Sequence, residues 1–118
     1  MALKYMDSDK LLRIDALLKH IDLVLSDVNG VDITSFDSGS ILVRGVCFSI
    51  SQIGEQMVQL EKKIGKAYPD LPWIYARSMR NVIVHDYNKV DIEQISLTIK
   101  NDLPQLKDAF TAIRKDFA

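Results

Sequence analysis

From Leu11 to Phe117 the apolar residues recur at steps of three and four, the period of a helix stripe rather than of a strand. Only five glycines and three prolines interrupt that pattern. In the first long segment Leu11, Ile14, Leu18, Ile21, Leu25 and Val28 share one face, with Leu17 and Val24 widening it. Ser8 or Asp9 is its expected cap, and Asn29-Gly30 its stop. Residues 30–40 have no helical period and read as a connecting loop, without the GK[ST] ending of a phosphate loop. A second stripe follows at Val43, Val46, Cys47, Ile50, Ile53, Met57, Leu60 and Ile64, and Lys62, Lys63 and Lys66 suit the negative end of its dipole.

The break at Tyr68-Pro69-Asp70-Leu71-Pro72-Trp73 predicts a third helix, with Asp70 or Leu71 near the cap and Pro72 in the first turn. The last stripe runs through Ile92, Ile95, Ile99, Leu103, Leu106, Phe110, Ile113 and Phe117. Pro104 has to kink or split it, because proline offers no N–H to the residue 100 carbonyl and clashes with it; Asn101 and Asp102 are candidate caps for a fresh start. Such stripes can be buried only against one another. The expected fold is therefore all-α, an antiparallel bundle of four to five helices, kinked near Pro104 and forming one domain over residues 1–118.

With 118 residues, 47% of them hydrophobic, the chain can bury a sizeable core without a metal or disulfide staple. Cys47 is the only cysteine, so neither an intramolecular disulfide nor a cysteine zinc cluster is expected, and folding calls for no cofactor. The opening MALKYMDSDK has no signal-peptide core and charges break every apolar run, which predicts a cytoplasmic protein without a membrane span. The formal charge of −1 excludes a general electrostatic grip on nucleic acid, so any such contact has to be local.

The densest reactive chemistry lies in Arg77-Ser78-Met79-Arg80-Asn81-Val82-Ile83-Val84-His85-Asp86-Tyr87. On a continuous helix Arg77, Asn81 and Val84 or His85 lie along one side, where the Asn81 amide could bond the imidazole and fix its tautomer. Arg80 and His85 are five residues apart, a rotation of about 140°. Either the helix ends near His85 or two chains build the site. Histidine titrates near neutrality and arginine keeps its charge, so together they suit proton transfer beside a phosphate that gains negative charge. RNA cleavage by a ribose 2′-hydroxyl needs that combination and no metal: His85 as acid or base, Arg80 on the oxyanion. One chain offers one histidine here, and a two-fold dimer would offer two.

Arg80, four residues, His85, one residue and Tyr87 together resemble the motif of HEPN-domain proteins, and of their subfamilies HepT most of all. Pro72-Trp73, Asn81 and Asn101-Asp102-Leu103-Pro104 resemble HepT as well, so the likeness spans most of residues 40–106. The resemblance implies a metal-independent endoribonuclease that leaves 2′,3′-cyclic phosphate ends, acting as a homodimer with the paired motifs lining one cleft. It implies a toxin of a type VII-like toxin-antitoxin pair, whose MntA-like nucleotidyltransferase partner neutralises it by transferring AMP to the motif tyrosine, here Tyr87. Catalytic roles then fall to Arg80 and His85, an orienting role to Asn81.

The rival reading is a non-catalytic helical module that docks a nucleotidyltransferase or a nucleotide with Arg80 and His85 as phosphate ligands. Other residues have plainer roles. Asp86 reads as a solvated acid, Trp73 and Tyr75 as core packing rather than base-stacking platforms, and Met57 and Met79 as gap fillers. His20 reads as a surface or satisfied core histidine, and Cys47 as a buried small hydrophobe. Gly45 and Gly54, costly inside a helix, predict close helix approach.

Overall fold

A computed structural model describes the backbone of residues 2–118 and the side chains from Ser8 onward. Among the described residues every regular element is helical: α1 (Ala2–Asp27), α2 (Ile41–Ile64), α3 (Trp73–His85), α4 (Ile92–Leu97) and α5 (Leu103–Lys115). Four helices pack as a bundle, the last being α4 and α5 joined through a π turn at Thr98–Asp102.

Pairs of side chains show how the helices run. Arg13 meets Gln56 and His20 meets Ser49, so α1 and α2 are antiparallel. Glu61 meets Arg77 and Glu55 meets Arg80, which runs α3 back along α2. Asp15 pairs with Arg114 at 2.6 Å and Asp22 with Lys107 at 2.8 Å, setting α5 antiparallel to α1. The stripes provide the core. All eight apolar positions expected for α2 are buried, and so are Ile95, Ile99, Leu103, Leu106, Phe110 and Ile113 of the last helix.

α1 departs from expectation in two ways. Ser8 and Asp9 lie inside the helix and cap nothing, and Asp9 instead pairs with Lys63 of α2 at 3.2 Å. Its fully buried line is Ile14, Leu17, Ile21 and Val24, while Leu18, Leu25 and Val28 are only partly covered. Leu17-Leu18 and Val24-Leu25 offer two apolar stripes about 100° apart, and packing against α2 and α5 selects one. Gly30 ends the segment with φ +73°, the left-handed geometry a glycine adopts freely.

The connecting loop also holds more order than expected. Asp32 accepts the Thr34 amide and hydroxyl, folding Ile33–Ser35 into a 3-10 turn that buries Ile33 in the core. Ser40 then caps α2 by accepting the Val43 amide. α3 begins one residue later than expected: Pro72 flanks the helix, and its carbonyl takes the first bond, from Ala76. Trp73 locks this corner, its indole donating to the Tyr68 carbonyl at 2.9 Å and its ring meeting Phe110 edge-on.

Pro104 is accommodated without a fresh cap. Asn101 and Asp102 make no capping bond; instead the Leu103 amide reaches back five residues to the Thr98 carbonyl. That wider turn lets the chain pass the proline while remaining helical. Tyr75 and Thr98 tie the π turn to α3, since Thr98 donates to the Gln94 carbonyl and so accepts the Tyr75 proton at 2.6 Å.

Candidate functional site

The site is built where α3 crosses α2. Arg80 lies over Gly54: a Cβ at Gly54 would stand 2.7 Å from the Arg80 Cβ and 2.9 Å from the Ala76 carbonyl oxygen. The close approach expected of Gly54 is thus real and is made against the arginine's own stem. At Gly45 the expectation fails within the chain, since a Cβ there would meet nothing within 4 Å.

Beyond Gly54 the Arg80 guanidinium is held at two edges. Nη1 donates to Glu55 Oε2 at 2.6 Å, and Nε donates to Asn81 Oδ1 at 2.9 Å. The side chain keeps only 21% exposure. The Arg80 hydrogen bond holds the Glu55 carboxyl below its ordinary value, against the smaller opposing effect of burial. Asn81 therefore bonds Arg80 and not His85, correcting the expected amide-to-imidazole bond. The acceptor oxygen lies beside the guanidinium of the preceding residue, which is the stronger donor.

His85 is the last residue of α3. The Asp86 amide closes the helix on the Val82 carbonyl at 2.9 Å, and Asp86 leaves helical geometry with φ −152° and ψ 57°. Of the two arrangements the spacing allows, the helix thus does end at His85. The imidazole is exposed, and among the described residues no hydrogen bond or ion pair reaches it. Among the described residues no hydrogen bond joins Arg80 to His85.

Past the helix end Tyr87 folds back over the start of α2. Its hydroxyl donates to the Ser38 carbonyl at 2.6 Å, and burial first, then the neighbouring Cys47, pushes the phenol up from its ordinary value. Cys47 is fully buried, with its thiol likewise pushed up by burial. Asp86 is engaged with Lys89 at 3.1 Å. His20 is half-buried against Ser49 and the edge of Phe48, and desolvation lowers its pKa.

Large apolar side chains of α2 and α3 are left exposed. Phe48 is 59% exposed, Val84 57% and Ile41 82%. Ile41, Gly45 and Phe48 follow one another along the outward side of α2. Among the described residues no helix is long and apolar enough to cross a membrane, and no group of three or more His, Cys, Asp or Glu is placed to hold a metal ion.

The arrangement of Arg80, Asn81, His85 and Tyr87 on one helix and its exit can be set beside known proteins. The profile of the family described as Ribonuclease HepT-like matches residues 17–113. The chain belongs to the HepT-like ribonuclease family. The chain is similar to a Methanocaldococcus jannaschii protein provisionally named an RNase, 27% identical over 85% of this chain and 86% of that protein's length. A Thermococcus cleftensis protein provisionally named ribonuclease HepT is 33% identical over 53% of this chain and 57% of its own. A Caldanaerobacter subterraneus protein, again provisionally named an RNase, is 26% identical over 80% and 84%. No solved structure matches the chain significantly. RNA is the substrate class that the family's name implies.

Glu55 is the site residue that the sequence did not reveal. It sits between stripe positions, where acids are usually solvated, and its partner is 25 residues away. Its one local signal was the glycine before it, already marked as a place of close approach.

Proposed function

We propose that the protein is a metal-independent endoribonuclease whose active unit is a homodimer. The observation that carries this reading is the asymmetry of the motif: Arg80 is fixed by its own chain, while His85 ends α3 exposed and unengaged. A second copy docked over the exposed Phe48 and Val84 would bring two imidazoles to one cleft, supplying both proton carriers that the reaction needs. One His85 takes the proton from a ribose 2′-hydroxyl, and the 2′-oxygen attacks the adjacent phosphorus. The bond to the 5′-oxygen breaks, and that oxygen leaves with a proton from the second copy's His85. The products are a 2′,3′-cyclic phosphate and a free 5′-hydroxyl. Arg80 stabilises the charge that builds on the phosphate oxygens, and Asn81 holds the guanidinium.

The protein acts in this reading as the toxin of a pair, with an MntA-like nucleotidyltransferase as antitoxin. Transfer of AMP from ATP to the Tyr87 oxygen, with pyrophosphate leaving, would put a phosphate and an adenosine beside the motif and compete for Arg80. The Tyr87 hydroxyl has to leave the Ser38 carbonyl before it can attack, so modification and loop release go together.

The test is RNA cleavage by the purified dimer, stripped of any AMP, in EDTA. Fragments ending in cyclic phosphate are expected, together with AMP-sized mass additions on co-expression with the nucleotidyltransferase. An AMP-free dimer that binds its partner yet leaves RNA intact would contradict the enzyme reading and leave the binding module.

A further inference from the structure

Arg80 and Arg77 lie one turn apart on α3, and each pairs with a glutamate of α2. The two pairs are not alike. Arg77 reaches Glu61 through Nη1 at 3.1 Å and has no second side-chain partner among the described residues. Arg80 reaches Glu55 at 2.6 Å, is gripped at Nε by Asn81, and has its stem set against the bare backbone of Gly54. Glu55 is itself steadied, its other oxygen accepting from Gln59 at 3.4 Å.

A lone surface ion pair contributes little to stability and leaves a long side chain free to wander. A guanidinium held at two edges over a fixed stem has one position. Of its five N–H groups, the Nε proton and one Nη1 proton are committed, which leaves the remaining Nη protons for a ligand. Such a group meets an anionic phosphate without the entropic cost of being ordered at that moment.

We propose that Glu55 is the positioning residue for Arg80, with Gly54 as the gap through which the arginine stem passes. Glu55 touches no substrate. It acts by fixing where Arg80 offers its free N–H groups to a phosphate, and it also offsets part of the arginine's charge until that phosphate arrives. This rests on the ribonuclease reading above, and Glu61 provides a matched control on the same two helices.

The experiment compares wild type, Glu55→Ala, Glu55→Gln and Glu61→Ala for kcat and KM on a short RNA, and follows the Arg80 Nε–H by 15N NMR in each. Glu55→Ala should lower kcat on the order of ten-fold or more while KM changes little, since loss of position is felt at the reacting phosphate. Glu55→Gln should recover most of the loss, because its amide oxygen still accepts from Nη1. Glu61→Ala should behave as wild type. The Arg80 Nε–H should exchange faster with water in Glu55→Ala alone. Wild-type kcat in a folded Glu55→Ala protein, an equal loss in Glu61→Ala, or an unchanged Nε–H would each overturn the proposal. If the wild type cleaves no RNA, the ribonuclease reading fails, and the Nε–H comparison still decides whether Glu55 positions Arg80.

Discussion

Arg80 and His85 stand five residues apart on one helix and are treated in opposite ways. Arg80 is anchored by Glu55, Asn81 and the Gly54 backbone, all from its own chain. His85 ends the helix and is exposed. The contrast teaches that a bundle can prepare one half of a site by packing two helices closely, while the other half waits on whatever covers the open face. Where a phosphate is to be held, preparation is an advantage; where a proton must be passed, room and access to a partner matter more.

Removing the anchored half should have the largest effect. Arg80→Ala is expected to reduce RNA cleavage by roughly 10²-fold or more while the protein still folds, the scale of losing one oxyanion donor. Gel assays with circular dichroism as the fold check would show it, and cleavage within a few-fold of wild type would break the division of labour. Phe48→Arg addresses the other half, placing charge on the exposed outward side of α2. Sedimentation should report monomer, and cleavage should fall about ten-fold or more while circular dichroism still shows the helical fold, because docking and not the core is affected.

Gly54→Ala tests the packing that prepares Arg80. The new methyl would collide with the arginine Cβ and the Ala76 carbonyl, neither of which is a flexible chain end. A loss of about 1–3 kcal/mol is expected, read as a Tm lowered by several degrees; Gly45→Ala, facing open space, should not destabilise the monomer. The smallest effect is one of pH. Arg80 holds the Glu55 carboxyl, and Arg114 the Asp15 carboxyl, below their ordinary values. These pairs stabilise the fold above the unfolded carboxyl pKa, and the contribution is lost as pH falls through the lower folded values. Melting curves should show Tm declining below about pH 4, less steeply in Asp15→Asn, and an equal slope in that variant would count against the assignment.

The fold was largely legible because stripes state which face must be covered. Val43 through Ile64 on α2 and Ile92 through Phe117 on the last helix needed no knowledge of partners, and the need for Pro104 to disturb the helix followed from a missing N–H. What could not be read was any choice between local equals. Leu17 and Leu18 are both apolar, and only packing decides which is buried. Asn81 could face an imidazole four residues on or a guanidinium next door, and the shape of α3 on α2 decides. Glu55 escaped for the same reason: nothing local distinguishes an acid that grips an arginine across 25 positions from one that points into water. His85 and Tyr87 stood out by residue type and spacing, though the bond that engages Tyr87 at Ser38 had no signature in sequence.

The central claim is that paired His85 side chains carry protons for a cleavage that Arg80 supports. The most direct measurement is the rate and product ends of RNA cleavage by wild type and His85→Ala, both verified as dimers of equal stability, in EDTA. The account predicts 2′,3′-cyclic phosphate ends from the wild type and a rate lower by about 10²-fold or more in the variant. Equal rates from the two proteins would contradict it.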